Sequence, residues 1–210
     1  MTRKSDTAAT RESIIETSIK LFLAKGFVGT SVTELTKAVG IAKGTLYCHF
    51  KSKDEILGSI LDKFASEFLD GVIAEVSRCE ADFLTKFKVF YKYVTEFGRD
   101  HRELMLVWHT LLGEIIGNCS DTERKIKEIQ RRYNDFLETF LEEGRREGAI
   151  GDKIDTRIYS RVITATLTGM LLQWYVESPS ASDSRIYARS FREAILKALE
   201  VSGKGAGGRE

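Results

Sequence analysis

The sequence predicts an all-α protein. Its 210 residues include a single proline, and so few prolines leave long helices uninterrupted. Hydrophobic residues make up 42% of the chain and recur at spacings of three and four, which is the period of one helical face. No segment alternates apolar and polar residues over a useful length, as a half-buried strand does. A chain of this length can bury one good core or two small ones.

The first helix is expected from near Thr10 to Lys25, after a flexible arm of residues 1–9. Five apolar residues form its buried stripe: Ile14, Ile15, Ile19, Phe22 and Leu23. Gly26 follows, and a glycine at this position commonly adopts the left-handed conformation that ends a helix.

Two short helices joined by a glycine turn should come next. Ser31 and Glu34 have the spacing of a capping box, in which each side chain satisfies a backbone N–H of the first helical turn. Gly40 supplies the turn that ends this helix. The second short helix is expected over about residues 42–50.

The outward face of the second short helix carries hydrogen-bond donors. The residues expected to point inward are Ile41, Leu46 and Phe50, and those expected to point outward are Lys43, Thr45, Tyr47 and His49. Ammonium, hydroxyl, phenol and imidazole groups can bond phosphates and base edges in the major groove of DNA. Ser52 and Glu55 form another capping box, so a further helix begins at once and the arrangement is that of a helix-turn-helix.

A resemblance to a known family rests on the run GFVGTSVTELTKAVGIAKGTLYCHFKSKDEIL. This run resembles the N-terminal DNA-binding domain of the TetR family of bacterial transcriptional regulators, and the match spans roughly residues 11–57. Besides the glycines, the residues in the family's order and spacing are Thr30, Lys43, Gly44, Thr45, Tyr47, His49, Phe50 and Lys53.

The resemblance implies which residues contact DNA. Expected at or near the major groove are Lys43, Gly44, Thr45, Tyr47 and His49. Expected at phosphates, partly through helix N-termini, are Thr30, Ser31, Lys51 and Lys53. The expected partner is a double-stranded DNA operator, and a twofold dimer suits a palindromic operator.

The charge distribution agrees with this expectation. The chain as a whole has a formal net charge of only +1, which by itself would not indicate a nucleic-acid binder. Residues 1–53, however, contain nine Lys or Arg and four Asp or Glu, a net charge of +5, whereas the remainder carries −4. The basic end is therefore the end with the helix-turn-helix, where counterion release from DNA requires it.

The rest of the chain predicts a second helical domain. From Ser52 the spacing of apolar residues predicts a long helix that reaches Val76, which in the resembled family transmits ligand state to the head. Five more helices are expected, over about residues 81–97, 102–112, 120 to 144 or 148, 155–177 and 183–201. The expected division is a DNA-binding domain at 1–53, a helical ligand-binding and dimerisation domain at 54–202, and a flexible tail at 203–210.

Large apolar and aromatic residues are concentrated in this second domain. In a ligand-binding regulator they would line a pocket for a small apolar or aromatic effector, with a polar group to orient it. The candidates are Phe64, Phe68, Phe87, Tyr91, Met105, Trp108, His109, Tyr133, Phe136, Met170, Gln173 and Trp174. The alternative for any one of them is that it fills the core.

The last two helices are the expected dimer interface. The helix over residues 155–177 carries apolar or small residues on two faces. Ile158, Val162, Ala165, Gly169 and Leu172 form one face, and Ile163, Met170 and Trp174 form the other. One face can serve the core of the protomer while the small residues let a partner helix approach closely. A monomer that buries both faces internally is the alternative.

Several classes of protein are disfavoured. The polar N-terminus lacks the apolar core of a signal peptide, and polar residues interrupt the longest apolar stretch, residues 158–176, so a membrane span is not expected. The three cysteines, Cys48, Cys79 and Cys119, are an odd number without metal-ligand spacing, which favours a reducing cytoplasm.

Catalytic signatures are also missing. The sequence contains no HExxH, no ExxH pair and no GxSxG, and no cofactor is expected. His101, His109, Glu103 and Glu114 leave only a weak metal-site hypothesis.

The sequence thus predicts a cytoplasmic, non-enzymatic, ligand-responsive transcriptional regulator, a homodimeric repressor that a small apolar effector releases from its operator. The alternatives are a helical protein that binds a small molecule or partner without acting on DNA and, more remotely, a metal-dependent helical enzyme. Cys48 within the recognition helix raises a further hypothesis of redox-sensitive DNA binding, against the alternative of a bystander thiol.

Overall fold

The computed structural model describes residues 2–115, 117, 120–178 and 180–200, and these residues form helices without any strand. The all-α prediction is therefore confirmed for the described part of the chain. The helices are α1 (Thr2–Lys25), α2 (Val32–Val39), α3 (Lys43–His49), α4 (Lys53–Phe64), α5 (Asp70–Arg78), α6 (Phe83–Asp100), α7 (Arg102–Ile115), α8 (Asp121–Arg146), α9 (Thr156–Glu177) and α10 (Ala181–Ala198). A π-helical segment, Ala65–Leu69, joins α4 to α5.

Several predicted boundaries need correction, and α6 and α10 end at Asp100 and Ala198, each three residues from its predicted end. Helix α1 begins at Thr2, so residues 2–9 are helical where an arm was expected. These residues contain neither glycine nor proline, and nothing local ends a helix there once it has formed. Helix α7 extends to Ile115, three residues beyond the predicted end at Leu112. Cys119 and the predicted tail at residues 203–210 lie outside the described residues.

The chain divides into two compact units. The first comprises residues 1–70 and 97–130, and the second comprises residues 71–96 and 131–210. Helices α4 and α7 thus belong to the same unit as the helix-turn-helix. The predicted boundary between residues 53 and 54 stays a prediction, because a compact unit is not the same as a functional domain.

The core of the first unit is built around α1. Ile14 and Phe22 are fully buried, as are Leu46 and Phe50 at the end of the helix-turn-helix. The guanidinium carbon of Arg11 lies 4.7 Å from the centre of the Phe50 ring, and Arg11 also donates a hydrogen bond to the Ser59 hydroxyl at 2.7 Å. Arg11 therefore ties α1 both to the end of α3 and to α4.

Stacked aromatic rings hold the π-helical segment in place. The rings of Phe64 and Trp108 are nearly parallel with centroids 4.2 Å apart. Phe68 lies 5.1 Å from Phe64 and 5.3 Å from Phe97. A π-helical turn usually marks a functional or strained position in a longer helix. Here Phe68 of the segment packs on Phe97 of α6, and Phe64, which directly precedes the segment, packs on Trp108 of α7.

The second unit has its own aromatic core. Phe83, Phe87 and Phe90 of α6 pack with Phe140 of α8 at centroid distances of 5.0 to 6.4 Å. Gly144 lets α8 approach closely, because a Cβ at this position would lie 2.5 Å from the Phe83 ring. No described helix combines the length and apolar content that a membrane crossing requires.

Candidate nucleic-acid interface

Helix α3 presents a polar face opposite a buried one. Leu46 is buried, and so is Phe50 at the C-cap, as predicted, whereas Ile41 is only half-buried. The side chains on the other face are open to solvent: Lys43, Thr45 and Tyr47 are exposed and His49 is half-buried. Tyr47 has 47% of its surface exposed. An exposed phenol is notable because an aromatic ring of this size is usually at least partly buried.

Gly44 adds open space to this face. No atom lies within 4 Å of the position that a Cβ would occupy there. The chain's own packing therefore does not require glycine at this position. A close approach by a second molecule would require it, because only glycine leaves the helix backbone bare.

Helix α2 begins at the predicted capping box. The Ser31 hydroxyl accepts a hydrogen bond from the Glu34 backbone N–H at 3.2 Å, and the Glu34 carboxylate accepts one from the Ser31 N–H at 2.9 Å. Glu34 also forms an ion pair with Lys25. The hydrogen bond from Lys25, followed by those from Ser31, lowers the pKa of Glu34 to about 2. The cap therefore stays ionised at neutral pH, and the N–H of Ser31 is already bonded.

The turn between α2 and α3 also follows the prediction. Gly40 has a φ of 78°, in the left-handed region, and its N–H bonds the carbonyl of Thr36 at 3.0 Å. The next N–H, that of Ile41, bonds the same carbonyl at 3.0 Å. These bonds set the direction in which the chain enters α3.

Thr30 lies at the end of the turn between α1 and α2. Its side chain is buried, and its hydroxyl donates to the carbonyl of Gly26 at 2.7 Å. The hydroxyl thus closes this turn instead of facing solvent. The expected phosphate contact at Thr30 stays a prediction.

Lys53 bonds the same turn from the other side. Its Nζ donates to the carbonyls of Phe27 at 2.6 Å and Thr30 at 2.8 Å, and it lies 4.3 Å from the centre of the Phe27 ring. Two of the three N–H groups of the ammonium are therefore bonded within the chain. Sequence spacing alone gave no signal of this inward role.

Lys51 and Ser52 form the start of α4. The Ser52 hydroxyl accepts a bond from the Glu55 N–H at 3.1 Å, while the Glu55 carboxylate bonds the N–H of Lys51 at 2.6 Å. One half of the predicted capping box is thus present, whereas its second bond, from the N–H of Ser52 to the Glu55 carboxylate, is replaced by the bond from Lys51. The Lys51 side chain is exposed, as is Cys48 on α3.

The predicted ligand-binding residues fall into two groups. Phe64, Phe68, Met105, Trp108 and His109 lie in the first unit, and Phe87, Tyr91, Tyr133, Phe136, Met170, Gln173 and Trp174 lie in the second. Most are buried, but His109, Phe136 and Trp174 are half-buried and Gln173 is exposed. None of them lines a groove of about 370 Å³ in the first unit, which is formed by Glu16, Ile19, Lys20, Lys63 and residues 100–104.

The residues of the metal-site hypothesis have separate roles. The Glu114 carboxylate accepts a hydrogen bond from the N–H of Phe27 at 2.8 Å. His109 Nδ1 bonds the carbonyl of Met105 at 2.7 Å, and burial lowers the pKa of His109. His101 stacks on Phe97 at 4.2 Å. Within the described ranges, no three His, Cys, Asp or Glu side chains are grouped as metal ligands.

Helix α9 has the two faces that its sequence predicts. Ile163 and Met170 are buried, whereas Ile158 and Val162 are 51% and 46% exposed. Ala165 and Gly169 continue the exposed face, and a Cβ on Gly169 would meet no atom within 4 Å. The sequence pattern thus separated the face that packs in the protomer from one that is left open.

Known proteins match both the interface and the fold. A family model described as "Bacterial regulatory proteins, tetR family" matches residues 14–60. The fatty acid metabolism regulator protein of Bacillus subtilis (strain 168) is 25% identical over 190 residues, which are 90% of this chain and 93% of that protein.

Two solved structures share the fold. The transcriptional regulator FadR from Bacillus subtilis, in complex with stearoyl-CoA, has a TM-score of 0.71 at 22% identity and covers 92% of this chain and 99% of its own. AibR, in complex with isovaleryl coenzyme A and operator DNA, has a TM-score of 0.69 at 21% identity and covers 90% of this chain and 97% of its own. Taken with the capped α2, the Gly40 turn and the exposed face of α3, the family model shows that residues 14–60 are a DNA-binding segment of the tetR family of bacterial regulatory proteins.

Proposed function

We propose that the protein is a ligand-responsive transcriptional repressor that binds a palindromic DNA operator as a homodimer. The observation that carries this proposal is the exposed face of α3, where Lys43, Thr45, Tyr47 and half-buried His49 stand opposite buried Leu46. Such a helix can enter a major groove with its donors directed at base edges and phosphates. The bare backbone at Gly44 permits close approach.

Roles within the interface differ from one residue to the next. Lys43, Gly44, Thr45, Tyr47 and His49 are assigned to the major groove, and Ser31 and Lys51 to phosphates. Thr30 and Lys53 hold the turn that precedes α2, because their side chains bond its carbonyls. This division separates residues that touch DNA from residues that orient them.

The dimer is assigned to α9 and α10. Ile158, Val162, Ala165 and Gly169 leave an apolar strip of small and medium residues on α9, against which a second copy can pack at close range. A twofold dimer places two heads at half-sites about 34 to 36 Å apart.

The effector is proposed to be a small molecule with an apolar part, and acyl-coenzyme A thioesters, which join an apolar acyl chain to a charged coenzyme A, are the first candidates. Two structures of the same fold contain such thioesters, stearoyl-CoA in one and isovaleryl coenzyme A in the other. The aromatic side chains within each unit are apolar groups against which an acyl chain would pack. In this proposal the dimer has a second state, in which its two DNA-binding domains are not spaced to match the two half-sites. A thioester that binds this state more tightly than the operator-binding state lowers operator affinity. The difference between its affinities for the two states sets the size of the effect.

The experiment is recovery of fragments of the source genome by the purified protein at about physiological salt, followed by sequencing. Tyr47→Ala is the test variant, and Lys92→Ala, at an exposed position of α6, is the surface control. A shared palindrome that the control recovers and Tyr47→Ala loses supports the proposal. Recovery without sequence preference, equal for all three proteins, contradicts it.

The operator found in this way then tests the effector. Acyl-coenzyme A thioesters of short and long chains are titrated into the complex of protein and operator. Release of the operator at a thioester concentration that does not unfold the Tyr47→Ala variant supports regulation by a thioester. Equal thioester affinity for the free and the operator-bound protein contradicts it, because linkage then allows no effect on DNA binding.

A further inference from the structure

The turn between α1 and α2, residues 26–30, is held by charged side chains from distant parts of the chain. The N–H of Phe27 donates to the Glu114 carboxylate at 2.8 Å, and the carbonyl of Phe27 accepts from Lys53 Nζ at 2.6 Å. Both polar backbone atoms of one residue are therefore bonded to ionised groups. Such charge-assisted hydrogen bonds are shorter and stronger than bonds between neutral groups.

Glu114 lies directly against the start of this turn. Gly26 has a φ of +76°, and a Cβ there would lie 2.5 Å from Glu114 Oε1. The positive φ favours glycine at this position, and the Glu114 carboxylate occupies the space where a side chain would begin. Glu114 belongs to α7, which lies outside the segment that matches the family model.

The turn leads directly into the reading helices. Thr30 ends it and is followed by Ser31, the N-cap of α2. Helix α2 then reaches α3 through Gly40 and residues 41–42, a connection too short to absorb a large shift. A displacement of the turn therefore moves the start of α2 and, with it, the exposed face of α3.

We propose that Glu114 is a positioning residue for operator binding, through which α7 sets the placement of the helix-turn-helix. The carboxylate fixes the Phe27 backbone from one side while Lys53 fixes it from the other. Any movement of α7 is then transferred to the turn by a direct bond. This inference rests on the proposed function and adds the contact by which the rest of the chain acts on the DNA-binding face.

The test compares wild type, Glu114→Ala and Glu114→Gln in binding to the recovered operator over a range of salt concentrations. Glu114→Ala is expected to bind about tenfold more weakly or worse, since one hydrogen bond to a charged group is lost. Its salt slope should equal that of wild type, because no phosphate contact is removed. Glu114→Gln should stay within about threefold of wild type, since its amide oxygen can still accept the Phe27 N–H.

Lys51→Ala is the matched control for a direct phosphate contact, and it should reduce the salt slope by about one. Affinities are corrected for the folded fraction, measured by circular dichroism. A role in stability alone would leave folded Glu114→Ala with wild-type affinity, and that result overturns the proposal. A reduced salt slope in Glu114→Ala overturns it as well, and so does a Glu114→Gln protein that binds as weakly as Glu114→Ala.

Hydrogen exchange of the Phe27 amide tests the contact without DNA. The shorter side chain of Glu114→Asp is expected to release this amide and raise its exchange rate well above the wild-type rate, even if Glu114→Ala does not fold. Unchanged exchange overturns the proposal. If wild type recovers no specific operator, the proposed function has failed, whereas the exchange measurement still decides whether Glu114 holds the turn.

Discussion

The Nζ atom of Lys53 lies 2.6 Å from the carbonyl oxygen of Phe27, which joins the first residue of α4 to the turn between α1 and α2. A second bond reaches the carbonyl of Thr30 at 2.8 Å. We expect Lys53→Met to lower the free energy of unfolding by about 1 to 3 kcal/mol, because two carbonyls lose a charged donor. Denaturant unfolding measures this change.

The salt dependence of operator binding tests whether Lys53 holds the turn or contacts a phosphate. Lys53→Met should alter the salt slope of operator binding less than Lys51→Ala does, since the exposed side chain of Lys51 is assigned to a phosphate whereas that of Lys53 is bonded in the turn. If Lys53→Met changed the salt slope more than the comparison variant does, Lys53 would have to be assigned to a phosphate contact.

Trp108 is expected to be a principal stabilising residue of the first unit. Its ring is buried and stacks on Phe64 at 4.2 Å. Trp108→Ala should therefore lower the free energy of unfolding by about 3 to 5 kcal/mol, the usual cost of removing a large aromatic side chain from a core. Half-buried Trp174 provides the matched comparison, and Trp174→Ala should cost clearly less. Urea denaturation measures both changes, and an equal loss of unfolding free energy in the two variants would contradict the packing described for Trp108.

Gly71 and Gly58 form a matched pair on the two sides of the π-helical segment. A Cβ at Gly71 would overlap the Tyr93 side chain, whereas one at Gly58 would meet only Lys125 Nζ at 3.8 Å. Gly71→Ala should therefore destabilise the protein by about 1 to 3 kcal/mol through overpacking. Gly58→Ala should stabilise it by about 0.4 to 1 kcal/mol through the unfolded state. Thermal unfolding of both variants tests the opposite signs.

His109 should make stability depend on pH. Burial lowers the pKa of His109 below its ordinary value of 6.5, so the unfolded chain binds the proton more tightly than the folded one. This contribution to stability is complete above pH 6.5 and is lost as the pH falls through the folded-state pKa. As the pH is lowered from 8 to about 5, the urea concentration at the midpoint of unfolding should therefore fall less steeply in His109→Gln than in wild type. Exposed His101 is the control, and an identical pH profile for wild type and His109→Gln would contradict the prediction.

The exposed strip of α9 predicts the oligomeric state. Val162 is 46% exposed on this strip. Val162→Glu should convert the dimer to a monomer, because two carboxylates would be buried near a twofold axis without partners. Sedimentation measures the change, and Lys92→Glu on α6 should leave the dimer intact. A wild-type protein that already sediments as a monomer would remove α9 as a dimer interface.

Local chemistry was sufficient to predict the helix-turn-helix from the sequence. The capping box of Ser31 and Glu34, the left-handed turn at Gly40 and the buried Leu46 and Phe50 all depend on neighbours within a few residues. Such interactions repeat whenever the same spacing occurs, and for this reason spacing alone reveals them. The exposed and buried faces of α9 were predictable on the same grounds.

The tertiary structure decided the roles of side chains whose partners lie far along the chain. The sequence predicts a phosphate contact at Thr30, yet the hydroxyl of this residue is buried in the turn. Lys53 reaches back 26 residues to Phe27, and Glu114 reaches back 87 residues to the same one. No sequence period links residues so far apart, because their distance is set by the packing of α4 and α7 on α1. The sequence by itself therefore determined which helix can read DNA, and only the packing decided what holds that helix in place.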